Sequence, residues 1–179
     1  MSKDFSANKG EWSELYVFLE LLKDGKLYLA DKNFNKMQDR FFEIVRIIRE
    51  NIDYFTGNEI KIFCNNEYCM SISLDKVEYF SKKLFEYISK DQDDKMSFKV
   101  QSILDFLEEI KVNKIKAPSK NKVDILMEVK DRTTPITYSG YNAISGFSIN
   151  QILEVLQHLL MQAKILDLNM KFLEFQILV

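Results

Sequence analysis

The chain has 179 residues, 46% hydrophobic and 13% aromatic, enough to bury the core of one domain. A net charge of −2 excludes a global basic field that would recruit nucleic acid, so any DNA contact must come from a local patch. No basic start precedes an apolar stretch, and no window approaches the roughly eighteen uncharged apolar residues of a spanning helix, so the expectation is a soluble cytoplasmic protein with no membrane partner.

In chain order, Trp12, Leu15, Tyr16, Phe18, Leu19 and Leu22 recur at helical spacing, with Glu11, Glu14 and Glu20 toward the other side, and predict a first helix ending near Gly25. "RFFEIVRIIRE" and "NEIKIFC" are rich in β-branched and aromatic residues and read as two strands of a hairpin, with the Asn, Asp and Gly of "NIDYFTG" as the turn between them. The cysteines of "CNNEYC", Cys64 and Cys69, have no zinc-like partner set and read as free thiols. Apolar residues then return every three or four positions from Asp75 to Lys90 and from Ser97 to Ile110, predicting two helices. "KVDILMEV" and "ISGFSI" close the pattern as two strands on either side of the turn-rich "DRTTPITYSGYN". The order α, ββ, αα, ββ is that of an α+β domain.

Two features could carry chemistry. "KVNKIKAPSKNK" gathers Lys111, Lys114, Lys116, Lys120 and Lys122 without an acid among them, which is either a solvated loop or a patch that touches phosphate. Asp124 opens the strand that follows. By alternation it shares a face with Leu126, Glu128 and Lys130, opposite Val123, Ile125, Met127 and Val129. An acid on one strand, with an acid and a lysine two residues apart on the next, suits magnesium-dependent phosphodiester hydrolysis, because hard oxygens hold the ion and an ammonium group steadies the charge on phosphate. In "GFSIN" those two positions are Ser148 and Asn150, and asparagine brings no positive charge.

"NKGEWSELYVFLELLKDGKLYLAD", "VDILMEV" and "GFSI" resemble the HpaII family of type II restriction endonucleases, of the PD-(D/E)xK nuclease fold. The likeness runs from about Asn8 to Ile149. It implies an α+β, α/β-like core, incomplete here, with a mixed sheet flanked by helices. It also implies a homodimeric, Mg2+-dependent enzyme that cuts a short palindromic duplex site of C-C-G-G type. On that pattern Asp124 holds metal, Ser148 fills the second acidic position and Asn150 stands where the family has its catalytic lysine. Glu14 resembles a helix glutamate that joins the metal shell, Glu128 is a weaker choice, and Lys114, Lys116, Lys120 and Lys122 would meet the DNA backbone.

The family's second strand is similar to G-F-S-I-K-S, and the departure at Asn150 has a simple genetic explanation. Loss of one adenine from ATA-AAA-TCA gives ATA-AAT-CAA, which turns I-K-S into Ile149, Asn150 and Gln151. Read one frame over, the codons behind "NQILEVLQHLLMQAK" can spell S-N-x-G-G-x-T-T-L-L-N-A-S-K, which resembles the family's continuation. The expectation is therefore that residues 1–149 are the N-terminal part of a nuclease domain, that residues 150–179 are an out-of-frame tail, and that this chain is truncated and impaired. The competing expectation for the tail is a genuine amphipathic helix. For the whole chain it is a non-catalytic DNA- or protein-binding α+β domain.

Overall fold

The computed structural model describes residues 5–31, 33, 36–89, 96–115, 125–131 and 143–147. Helix α1, Lys9–Asp24, begins at a reciprocal cap in which the Asn8 side chain accepts from the Glu11 amide while Glu11 reaches back to the Asn8 amide. It ends at Gly25, whose φ of 60° is the left-handed conformation that only glycine adopts without strain. Trp12, Leu15, Leu19 and Leu22 are fully enclosed, as expected, but so are Val17 and Leu21, so α1 is wrapped on more than one side. The Trp12 indole N–H donates to the Phe98 carbonyl at 3.1 Å, which gives its one polar atom a partner inside the core.

The sheet is β1 (Lys26–Ala30), β2 (Lys36–Arg49), β3 (Ile52–Phe55), β4 (Glu59–Cys64), β5 (Glu67–Ser73), β6 (Ile125–Asp131) and β7 (Ala143–Phe147), in the order β5-β4-β3-β2-β6-β7 with β1 also paired to β2. Every ladder between the described strands is antiparallel, which corrects the expected mixed sheet. The segment expected as a hairpin turn contains a strand of its own. Ile52 and Tyr54 point into the core and Asp53 and Phe55 away from it, a period of two that the turn-forming Asn51, Asp53 and Gly57 conceal. The reversals lie at Glu50, φ 57°, and at Asn65 and Asn66, φ 52° and 68°, where the paired positive angles suit a tight hairpin turn. That last turn joins β4 to β5 and brings Cys64 and Cys69 together as a disulfide, Cα atoms 6.1 Å apart, in place of the expected free thiols.

One sheet face is apolar. Ile44, Ile47, Tyr54, Ile60, Ile62 and Met127 are each at most 1% exposed, and the Phe18 ring of α1 meets Tyr54 edge-on at 5.1 Å. Helix α2, Leu74–Ile88, packs on α1, where the Ser81 hydroxyl donates to Glu20 at 2.6 Å. A 3-10 turn at Gln101–Ile103 leads into α3, Leu104–Glu109, tied to α2 by the stacked rings of Phe80 and Phe106 and by Lys76 with Glu109. The helix predicted from Ser97 starts later because Phe98 is engaged otherwise: its backbone pairs with Ala7 in both directions. Among the described residues no helix is long and apolar enough to cross a membrane.

Candidate active site at one end of the sheet

Strand β6 is the hub of the site. Its apolar side chains Ile125, Met127 and Val129 are buried, and its ladders set Leu126 opposite Ile48 of β2 and opposite Gly146 of β7. One step along, Ile125 pairs with Phe147. Asp124 precedes Ile125 in the chain and Ser148 follows Phe147, and both lie outside the described residues, as do Asn150, Lys116, Lys120, Lys122 and the expected domain boundary at 149/150.

Four of the residues singled out in the sequence are described. Glu14 is half-buried on α1, near enough to Arg49 to favour the guanidinium's charge. Lys111 and Lys114 are exposed on the segment that follows α3. Glu128 is on the outer sheet face, where its carboxylate accepts from Arg46 at 2.7 Å. Arg46 also donates to Asp53 at 3.0 Å, so Glu128 belongs to a three-strand ion network across β3, β2 and β6. Among the described residues no three histidine, cysteine or acidic side chains form a group able to hold a metal ion.

Sequence reasoning missed the residue that joins these parts, Arg49. It is the last residue of β2, immediately after Ile48, and only 8% exposed. Its guanidinium donates to the Lys114 carbonyl at 2.6 Å and to that of Ile115, and lies 5.5 Å from the Phe18 ring centre. Burial lowers its pKa, opposed by Tyr54, Glu50 and Glu14, and an arginine stays charged regardless. Nearby, the Tyr54 hydroxyl donates to the Ile110 carbonyl at 2.9 Å, and burial pushes its phenol well above the ordinary value of 10.0. The signal in the sequence was an arginine at the same strand parity as Ile47, inside a run of isoleucine and valine. A register irregularity between Ile44 and Arg46 hides that parity.

An antiparallel sheet flanked by helices, with the β6–β7 ladder and a lysine-bearing loop converging on one end, is compatible with a nuclease. Comparison with known proteins gives the family: the model of the HpaII restriction endonucleases matches residues 8–176, and the chain belongs to that family. Type II restriction enzyme HpaII of Haemophilus parainfluenzae is 33% identical over 159 residues, an alignment that covers 83% of this chain and 41% of that enzyme. The chain thus spans well under half the length of the curated relative it matches. No solved structure matches it.

Proposed function

We propose that the chain is part of a type II restriction endonuclease that cuts a short palindromic duplex site of C-C-G-G type by Mg2+-dependent phosphodiester hydrolysis, and that the full-length enzyme works as a homodimer. The observation that carries the reading, beyond family membership, is the pairing of Ile125 with Phe147. Asp124 and Ser148 are each one residue along the chain from that pair.

The donor chemistry suits a hard cation. Asp124 and Glu14 are carboxylates and Ser148 is a neutral oxygen, and magnesium needs only one or two protein carboxylates because it keeps water and phosphate oxygens as well. Glu14 is included on the family resemblance alone, for its neighbour Arg49 is on the inner side of the sheet and Glu128, of the same strand parity as Asp124, is on the outer one. When bound, the ion would offset charge on phosphate and lower the pKa of a water molecule. The chain's own task is to orient the backbone through Lys114, Lys116, Lys120 and Lys122, and to supply a positive group at position 150. Asn150 leaves that last task undone, at a cost of roughly 10²–10³-fold in rate.

The test is duplex binding and cleavage by the whole chain. The expected result is salt-sensitive DNA affinity that Mg2+ strengthens, loss of the Mg2+ effect in Asp124→Ala, and no efficient cutting even for Asn150→Lys. Affinity indifferent to both Mg2+ and Asp124→Ala would establish a non-catalytic DNA-binding domain instead, and no affinity at low salt would remove DNA as a partner. Full site-specific cleavage by the 179-residue chain would overturn the proposed impairment.

The tail has its own test. The codons behind residues 150–179 are compatible with a shifted frame, whereas the family match continuing to residue 176 weighs for a tail in frame. The nucleotide sequence around codon 150 decides: an open frame shifted by one supports the out-of-frame tail, and a shifted frame full of stops removes it.

A further inference from the structure

We propose that Arg49 and Tyr54 form a clamp that fixes residues 110–115 against the sheet and thereby positions Lys114 for contact with a DNA backbone. Both are positioning residues, and the inference rests on the reading of Lys114 as a phosphate contact.

The geometry is specific to this segment. Tyr54 holds its first residue, through the Ile110 carbonyl, and Arg49 holds its last two, through the carbonyls of Lys114 and Ile115. Between these points Ile110, Val112 and Ile115 are buried at 0%, 1% and 4% exposure, which turns Lys111, Asn113 and Lys114 outward. Asn113 adds an outer tie, donating to Glu50 at 3.1 Å. The clamp grips backbone oxygens only, so it leaves the lysine ammonium groups unused.

Arginine suits this role where the aliphatic residues around it do not. Both bonds run from one nitrogen, Nη2, which carries two N–H groups, one for each carbonyl, and the guanidinium keeps its charge and its donors despite burial. Burying the charge is costly unless its hydrogen bonds are made. An isoleucine at this core-facing position would avoid that cost, as Ile47 does two residues earlier, but it would leave the two carbonyls unheld. The segment is also short of regular structure: α3 ends at Glu109, and Lys111 has a positive φ of 64°. A loop already ordered before binding loses less conformational entropy when it meets phosphate.

The experiment uses the full chain with Arg49→Met, Arg49→Lys and Tyr54→Phe, and Leu84→Ala as a control in the buried α2 core. Three quantities are read: the melting temperature, the rate of native-state tryptic cleavage after Lys111 and Lys114, and the Kd for a short duplex at two salt concentrations. Arg49→Met should raise cleavage in that segment and weaken duplex binding by about tenfold each, with a shallower salt dependence. Arg49→Lys should recover part of both, and Tyr54→Phe should shift both in the same direction by a smaller factor. Leu84→Ala, for its own drop in melting temperature, should leave segment cleavage and Kd within about twofold of wild type.

If the clamp variants move cleavage and Kd no more than Leu84→Ala does, the clamp is wrong. Should Arg49→Met fail to fold, Tyr54→Phe carries both readouts. Wild-type protein without duplex affinity at low salt would sink the phosphate-contact reading and with it the positioning role, while the cleavage readout would still decide whether the segment is clamped.

Discussion

Two arginines three residues apart on β2 face opposite sides of the sheet and hold different things. Arg46 is on the outer face, its side chain 25% exposed, between the carboxylates of Asp53 and Glu128, which are 15% and 14% exposed. Its bonds join three strands to one another. Arg49 is on the inner side at the strand's end and binds no carboxylate at hydrogen-bond distance among the described contacts; its partners are two peptide carbonyls of a loop. The first arginine belongs to the sheet's own integrity and the second couples the sheet to something outside it. The same side chain on the same strand therefore means different things, and partner type decides which.

The difference can be broken by mutation. Arg49→Met removes a buried charge but abandons one buried and one partly buried carbonyl, and each unsatisfied buried group costs roughly 1–3 kcal/mol, so a net loss of about 2–3 kcal/mol is expected in urea unfolding. Arg46→Met leaves Asp53 and Glu128 without their shared partner in a region that water still reaches. Solvent screening holds the expected loss to about 1–2 kcal/mol, with less of it at high salt. A larger loss for Arg46→Met than for Arg49→Met would reverse the ranking and make the outer network the structural keystone.

How much of this was readable beforehand follows the same division. Helix α1 was legible because its apolar spacing and Gly25 agree, and the structure adds the Asn8–Glu11 cap. The central part of β6 was legible because Ile125, Met127 and Val129 alternate with residues that stay outside the core. Strand β3 was not, because Asp53 looks like a turn residue until Arg46 is seen beside it. Strand β5 was hidden behind the question its cysteine raised, for "EYCMSIS" follows at once on a two-asparagine turn. Local rules rank residues by type, and what these segments needed was a partner distant in sequence. The candidate site shows the limit most clearly: Asp124, Ser148 and Asn150 were picked out by resemblance and spacing, but strand parity is the one local mark of Arg49 and nothing local names its partner or that of Tyr54, which lie 65 and 56 residues further along the chain.

Tyr54→Phe gives the finest probe of the inner side, since it deletes a single oxygen. The ring stays against Phe18, so the packing term is kept, and the Ile110 carbonyl loses its donor. The expected cost at neutral pH is about 1 kcal/mol. Its pH dependence is the sharper part. Burial raises the folded-state pKa of Tyr54 above the ordinary value of 10.0, with Arg49 opposing and Glu50 adding to the rise. A raised pKa means the folded protein keeps a proton that the unfolded chain releases, so this stabilisation is whole below the unfolded pKa and is lost as pH climbs beyond it toward the folded one. Wild-type stability should fall above about pH 10, and Tyr54→Phe should show a shallower fall, because one of the buried phenols that must ionise is gone. Tyr16, raised chiefly by burial as well, adds to the slope in both proteins. Parallel alkaline unfolding curves for wild type and Tyr54→Phe would mean that Tyr54 ionises as freely in the fold as out of it, and that the Ile110 end of the loop is open to water.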